Sequence, residues 1–220
     1  GWHCKENRAQ IIWRNCDATG LYDDIINVSS SVMWVKEVQA TNRINMYWNE
    51  TGGVFRADLK KGDEITIIDT DTGLIVAETT IARVVKQSGS DNIVILADEL
   101  DLTAGQNIQV LFENLVAPNS IVENCNFDGT FRFRGPITVK DSTLNCRMMW
   151  IDTYSAFGGL CEGPIPHDIL FKNCEFTFED NYDTYVYASA YNENVSENSY
   201  HLKNIVFEDC VVNEKYFEII

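Results

Sequence analysis

The chain has no run approaching the roughly 18 to 20 consecutive apolar residues of a membrane-spanning helix, and no basic-then-apolar stretch opens it as a secretion signal would. A spanning helix is therefore excluded. The opening GWHCKENRAQIIWRNC enters a strand pattern at once, so the expectation is a piece of a longer, secreted or periplasmic protein whose signal lies outside this sequence. Basic residues are scarce as well: 17 Lys and Arg stand against 33 Asp and Glu, a formal charge of -16. That balance repels phosphate backbones and leaves no basic patch, which argues against nucleic acid and against a membrane surface as partners. The seven cysteines include no CxxC pair and are odd in number, which speaks against a zinc ribbon and a complete disulfide framework. Only three histidines occur, His3, His167 and His201, none at zinc-ligand spacing and all just before strand-like copies, so no metal and no cofactor is expected.

What the chain does have is a repeat. IIWRNCDATG, SIVENCNFDG, ITVKDSTLNC, DILFKNCEFTF and NIVFEDCVVNE share one form: apolar residues, a charge, Asn or Asp, then Cys or Ser. Val, Ile, Phe and Thr dominate the copies, so each is a strand, and a recurring strand unit that buries itself only against its neighbours marks a solenoid. The fold class expected is all-β, a right-handed parallel β-helix with an inserted small antiparallel β-barrel. Asn15, Asn124, Asp141, Asn173 and Asp209 would then stack as a ladder beside buried, inert Cys and Ser side chains.

Between the first two copies lie short alternating strands such as INMYWNE, DEITIID and DNIVILADE, separated by Gly, Asp and Asn turns. Five or six antiparallel strands of this length predict a barrel or sandwich over residues 43–115, with the helix formed by 1–42 and 116–220. Without the insertion, Cys16 and Cys125 stand about 36 residues apart, matching the 36-residue step from Cys174 to Cys210.

The chemistry-bearing candidates are acids and arginines. Asp23 and Asp24 follow the first copy; one of them can act as general acid or base, or the pair can simply close an Asx-turn. Arg132 and Arg134 share one strand face, with Phe131 and Phe133 on the other, and form either a guanidinium fork for sugar oxygens or a solvated ion-paired edge. Asp152 ends a strand and Glu162 lies in a Gly-rich loop near Tyr154 and Phe157, an arrangement suited to a sugar ring and its hydroxyls, or to a solvated turn. The Tyr-, Asn- and Asp-rich excursion 178–201 either walls a cleft or meets a partner. Sequons at Asn27, Asn49 and Asn194 matter only in a glycosylating host.

The order of these elements, with the Asp-Asp-x-x-Asn run at Asp23, Asp24 and Asn27 and the Arg-x-Arg-Gly run at Arg132, Arg134 and Gly135, resembles glycoside hydrolase family 110 over residues 10–180. Those exo-acting α-1,3-galactosidases carry a barrel inserted in a parallel β-helix and invert the anomeric carbon. The resemblance implies an enzyme releasing terminal α-linked galactose, with Asp23 and Asp24 catalytic and Asn27, Arg132, Arg134, Asp152 and Glu162 binding substrate. The sequence departs from the family at Ser29 and Ser30, where a His-Gly-like pair is expected, and lacks upstream coils. A non-catalytic carbohydrate-binding β-helix or an inactive fragment is the alternative, and a polysaccharide lyase a third reading.

Overall fold

The computed structural model describes residues 1–21, 23–48, 57–89, 91–103, 107–152, 162–178, 185–189 and 202–213. Among them every regular element is a β-strand, and no helix is long and apolar enough to cross a membrane. The chain first forms β1 (Trp2–Lys5), β2 (Ile12–Arg14), β3 (Asp17–Ala18) and β4 (Asp24–Ser31). Six strands follow: β5 (Met33–Ala40), β6 (Arg43–Trp48), β7 (Glu64–Asp69), β8 (Leu74–Ser88), β9 (Asp91–Leu96) and β10 (Ile108–Phe112). The remainder is β11 (Ser120–Glu123), β12 (Asn126–Phe133), β13 (Ile137–Lys140), β14 (Thr143–Asp152), β15 (Glu162–Gly163), β16 (His167–Lys172), β17 (Glu175–Phe178), β18 (Tyr185–Ser189), β19 (Lys203–Glu208) and β20 (Val211–Asn213).

Two parallel sheets carry the repeated segments. One orders β2, β11, β13, β16 and β19; the other runs β1, β4, β12, β14, β17 and β20, with β3 beside β12 and β18 beside β14. Each copy leaves the first sheet, turns a two-residue corner and enters the second. The corner is an Asn or Asp in the left-handed region, Asn15, Asn124, Asp141, Asn173 or Asp209, with φ between 51° and 55°. A short amide or carboxylate tolerates that conformation where most side chains clash. The ladder forms along it: Asn124 Nδ2 donates to Asn15 Oδ1 at 2.7 Å, and Asn173 Nδ2 to Asp141 Oδ1 at 3.1 Å. The next residue turns inward, so Cys125, Ser142 and Cys174 are buried, and burial raises the Cys174 thiol to about 12, a poor nucleophile. We expect Asn124→Ala to cost about 2 kcal/mol, the sum of a left-handed non-Gly residue and a lost hydrogen bond, and Asn124→Gly under half of that. Urea unfolding of both variants measures the difference.

In-register stacking aligns apolar residues in columns. Trp13, Val122, Val139, Phe171 and Phe207 occupy one, and Phe127, Leu144, Phe176 and Val212 another. The two columns face each other, with Phe171 edge-on to Phe176 at 5.4 Å, so the core lies between the sheets.

The barrel closes in the order β10-β5-β6-β9-β8-β7, antiparallel throughout, around Met33, Ile44, Met46, Ile65, Ile67, Val94, Val110 and Phe112. It begins at Met33, ahead of the boundary expected at residue 43, because only Val32 separates β4 from β5 and no turn intervenes. Val32, Trp34, Ile68, Leu111 and Ile165 fuse it to the parallel sheets, and Arg8 clasps it with a bidentate pair to Asp63 at 2.9 and 2.6 Å. Gly163 fits there because a Cβ would stand 2.9 Å from Leu111 Cδ2.

Candidate functional site

The site starts from a bulge. Thr130 and Phe131 of β12 are consecutive, yet they pair with Asp24 and Ile26, so Ile25 is the extra residue of β4. An extra residue resets the alternation of side chains, and Asp24 and Asn27, three apart, come to one side. Asn27 Nδ2 accordingly donates to Asp24 Oδ2 at 2.8 Å, while its Oδ1 accepts from Ser29 Oγ at 2.7 Å. Register places Arg132 beside Asn27, and its Nε donates to Asp24 Oδ1 at 3.0 Å.

The second carboxylate arrives on β15, antiparallel to β4. Glu162 Oε1 takes Asn27 Nδ2 at 3.1 Å and Lys5 Nζ at 2.7 Å, and its Oε2 takes Arg132 Nη1 at 3.1 Å. The Arg132 guanidinium also lies over the Trp150 ring, 5.1 Å from its centroid. Two carboxylates and two cations thus form a formally neutral, largely buried network. Burial pushes the Glu162 carboxyl up, but the Lys5 hydrogen bond and charge, then Arg132 and Asn27, outweigh it and hold the group below its ordinary range. Because the folded value is depressed, the stabilisation is present above the unfolded carboxylate range and is lost as pH falls through the folded value. The stability gap between the native protein and Glu162→Gln should therefore shrink on acidification, as thermal unfolding from neutral to acid pH will show.

Beneath the network lies a second pair. Arg134 is wholly buried, and its backbone N–H still donates to the Val28 carbonyl at 3.0 Å, one residue past the end of β12. Its Nη1 donates to the Asp152 carbonyl at 2.5 Å and its Nη2 to Asp152 Oδ2 at 3.3 Å, and Nε is buried without a hydrogen-bond partner. Burial lowers the Arg134 pKa, and the charges of Asp152 and Glu162 oppose that shift.

Of the sequence candidates, Asp24, Asn27, Arg132 and Glu162 converge, Arg134 and Asp152 form the buried pair below, and Asp23 is exposed. Tyr154, Phe157, Cys161, His201 and the sequons at Asn49 and Asn194 lie outside the described residues, as does most of 178–201. Sequence reading missed Lys5, which pairs in register with Ser29, and Trp150. It also missed Glu6, whose Oε1 accepts from the Ser31 amide at 2.9 Å and hydroxyl at 2.6 Å. The signal for Lys5 was slight: one lysine ending a four-residue strand. Among the described residues no group of three or more His, Cys, Asp or Glu is placed to hold a metal.

The fold and site define an all-β protein with parallel sheets, a closed six-stranded barrel and a paired-carboxylate cluster on strands outside the barrel. No family model matches the chain, and no curated protein matches it significantly.

Proposed function

We propose that the protein is a carbohydrate-active, right-handed parallel β-helix resembling glycoside hydrolase family 110, secreted or periplasmic, that binds and hydrolyses terminal α-linked galactose at the Asp24–Asn27–Arg132–Glu162 cluster. The observation that carries this reading is the meeting of two carboxylates from distant segments on one amide nitrogen, bridged by one guanidinium. In-register parallel strands joined by left-handed Asn and Asp corners support the helix. Carboxylates accept from sugar hydroxyls, and Arg132 fixes their orientation.

Roles within this reading follow from the distances. Asp24 Oδ2 and Glu162 Oε1 share the Asn27 amide, which limits their separation to about 6 Å, short of the roughly 6.5–9.5 Å of inverting pairs. Inverting hydrolysis in this reading draws on Asp23 together with a cluster carboxylate: one carboxylic acid protonates the leaving oxygen, and the other takes a proton from the water attacking the anomeric carbon. Glu162, held ionised, serves as acceptor or base.

Asp23→Asn and Asp24→Asn should each lower turnover of an α-galactoside by about 10²–10⁴-fold, read by release of galactose. Near-native rates in both overturn the catalytic reading. The second reading, carbohydrate binding without hydrolysis, is favoured by the cations already occupying both cluster carboxylates. Under it the native protein binds galactosides, shows no turnover, and loses affinity in Asp24→Asn.

A further inference from the structure

A cleft of about 220 Å³ opens where the barrel meets the five-stranded sheet, apart from the Asp24 cluster. The barrel side supplies Glu78 of β8 and Glu113, just past β10; the sheet side supplies Ile165, His167 and Asp168 at β16 and Lys203 at the start of β19. His167 is fixed between the two sides. Its Nδ1 is 2.9 Å from Asp168 Oδ2, and Asp168 Oδ1 accepts from Asn204 Nδ2 at 2.7 Å. Its Nε2 is 3.3 Å from Glu113 Oε2, an ion-pair distance, but off the line that an N–H···O bond needs, so this buried nitrogen has no aligned partner.

The lining selects a class of ligand. Three carboxylates against one ammonium and one imidazole disfavour an anion, and the donor set does not gather as a metal site among the described residues. The walls expose more apolar than polar surface, but the charged groups set among it disfavour a purely apolar ligand. The volume is below the roughly 300–1,000 Å³ of drug-sized sites but suits one small ring, and junctions between substructures are favoured places for ligands. Carboxylates accept from hydroxyls, Lys203 and the imidazole donate, and Ile165 offers a surface to C–H groups.

We propose that this cleft binds a single neutral monosaccharide unit, as a second glycan site. It extends the carbohydrate reading but uses none of the first site's residues. Methyl α-D-galactoside titrated into the protein should shift the His167 ring resonances saturably in the millimolar range, the signals being assigned by His167→Asn. Lys203→Met and Glu78→Gln, both at exposed positions, should each weaken that titration about tenfold, while Glu162→Gln leaves it unchanged. No His167 shift in a protein that hydrolyses or binds galactosides elsewhere overturns this site and spares the first. A shift abolished by Glu162→Gln but not by Lys203→Met, or a response to butylamine and none to sugar, overturns it equally. A saturable His167 response in a protein without galactosidase turnover supports the cleft and rejects the enzyme.

Discussion

Replacing Arg134 by alanine is expected to destabilise the protein by about 3–5 kcal/mol, because the change removes the buried cation that faces the Asp152 carboxylate in a site with no exposure. For a chain of this size each kcal/mol moves the midpoint by about 2–4 °C, so the melting temperature should drop by roughly 6–20 °C. The cost belongs to the charge imbalance left in the interior rather than to the pair itself. Taking both charges out of water is expensive, and Arg134 Nε recovers no hydrogen bond. Arg134→Met combined with Asp152→Leu should accordingly recover most of the loss, and calorimetry of the single and double variants separates the two contributions. A loss under about 1 kcal/mol in Arg134→Ala would mean that water reaches the pair.

Arg132→Ala should be the most damaging change to the upper site. It removes the group that contacts Asp24 and Glu162 together and leaves two carboxylates on the Asn27 amide with Lys5 as the remaining cation. Truncating one partner of a buried, hydrogen-bonded charge set costs about 2–5 kcal/mol, or about 30- to 5,000-fold in galactoside kcat/KM or affinity. Losing Arg132 also removes one of the charges that hold the Glu162 carboxyl below its ordinary range, so the carboxylate limb of the pH profile should move to higher pH. Arg132→Lys should rescue little, since a single ammonium does not reproduce contacts made by Nε and Nη1 on different acids. Kinetics across pH, with calorimetric titration as the binding measure, test both points. A flat response would place recognition elsewhere.

Much of the architecture was legible because one physical demand repeats. Each corner needs a residue that tolerates positive φ and then a small side chain turned inward, which is what Asn15-Cys16, Asn124-Cys125, Asp141-Ser142, Asn173-Cys174 and Asp209-Cys210 provide. The barrel was legible from alternation such as that of β9, where Asn92, Val94 and Leu96 face inward. Its first strand was not, since SSSVMWVKEV carries no turn residue between β4 and β5. The acids and arginines of the site could be picked by type. Which aspartate turns inward could not, because the bulge at Ile25 has no residue signature of its own. Lys5 escaped notice for a related reason: it reaches Glu162 through strand pairing that no local pattern encodes.

The insertion of the barrel between β4 and β11 also orders events during synthesis. Asn15 meets Asn124 across 109 residues, so the first step of the Asn ladder cannot close until the chain beyond the barrel has emerged, although β1 can pair with β4 earlier. The barrel, whose strand pairs all lie between Met33 and Phe112, is complete before then. A barrel that assembled first would hold β4 near the place where β12 later docks, shortening the search that a long-range parallel pairing would otherwise face.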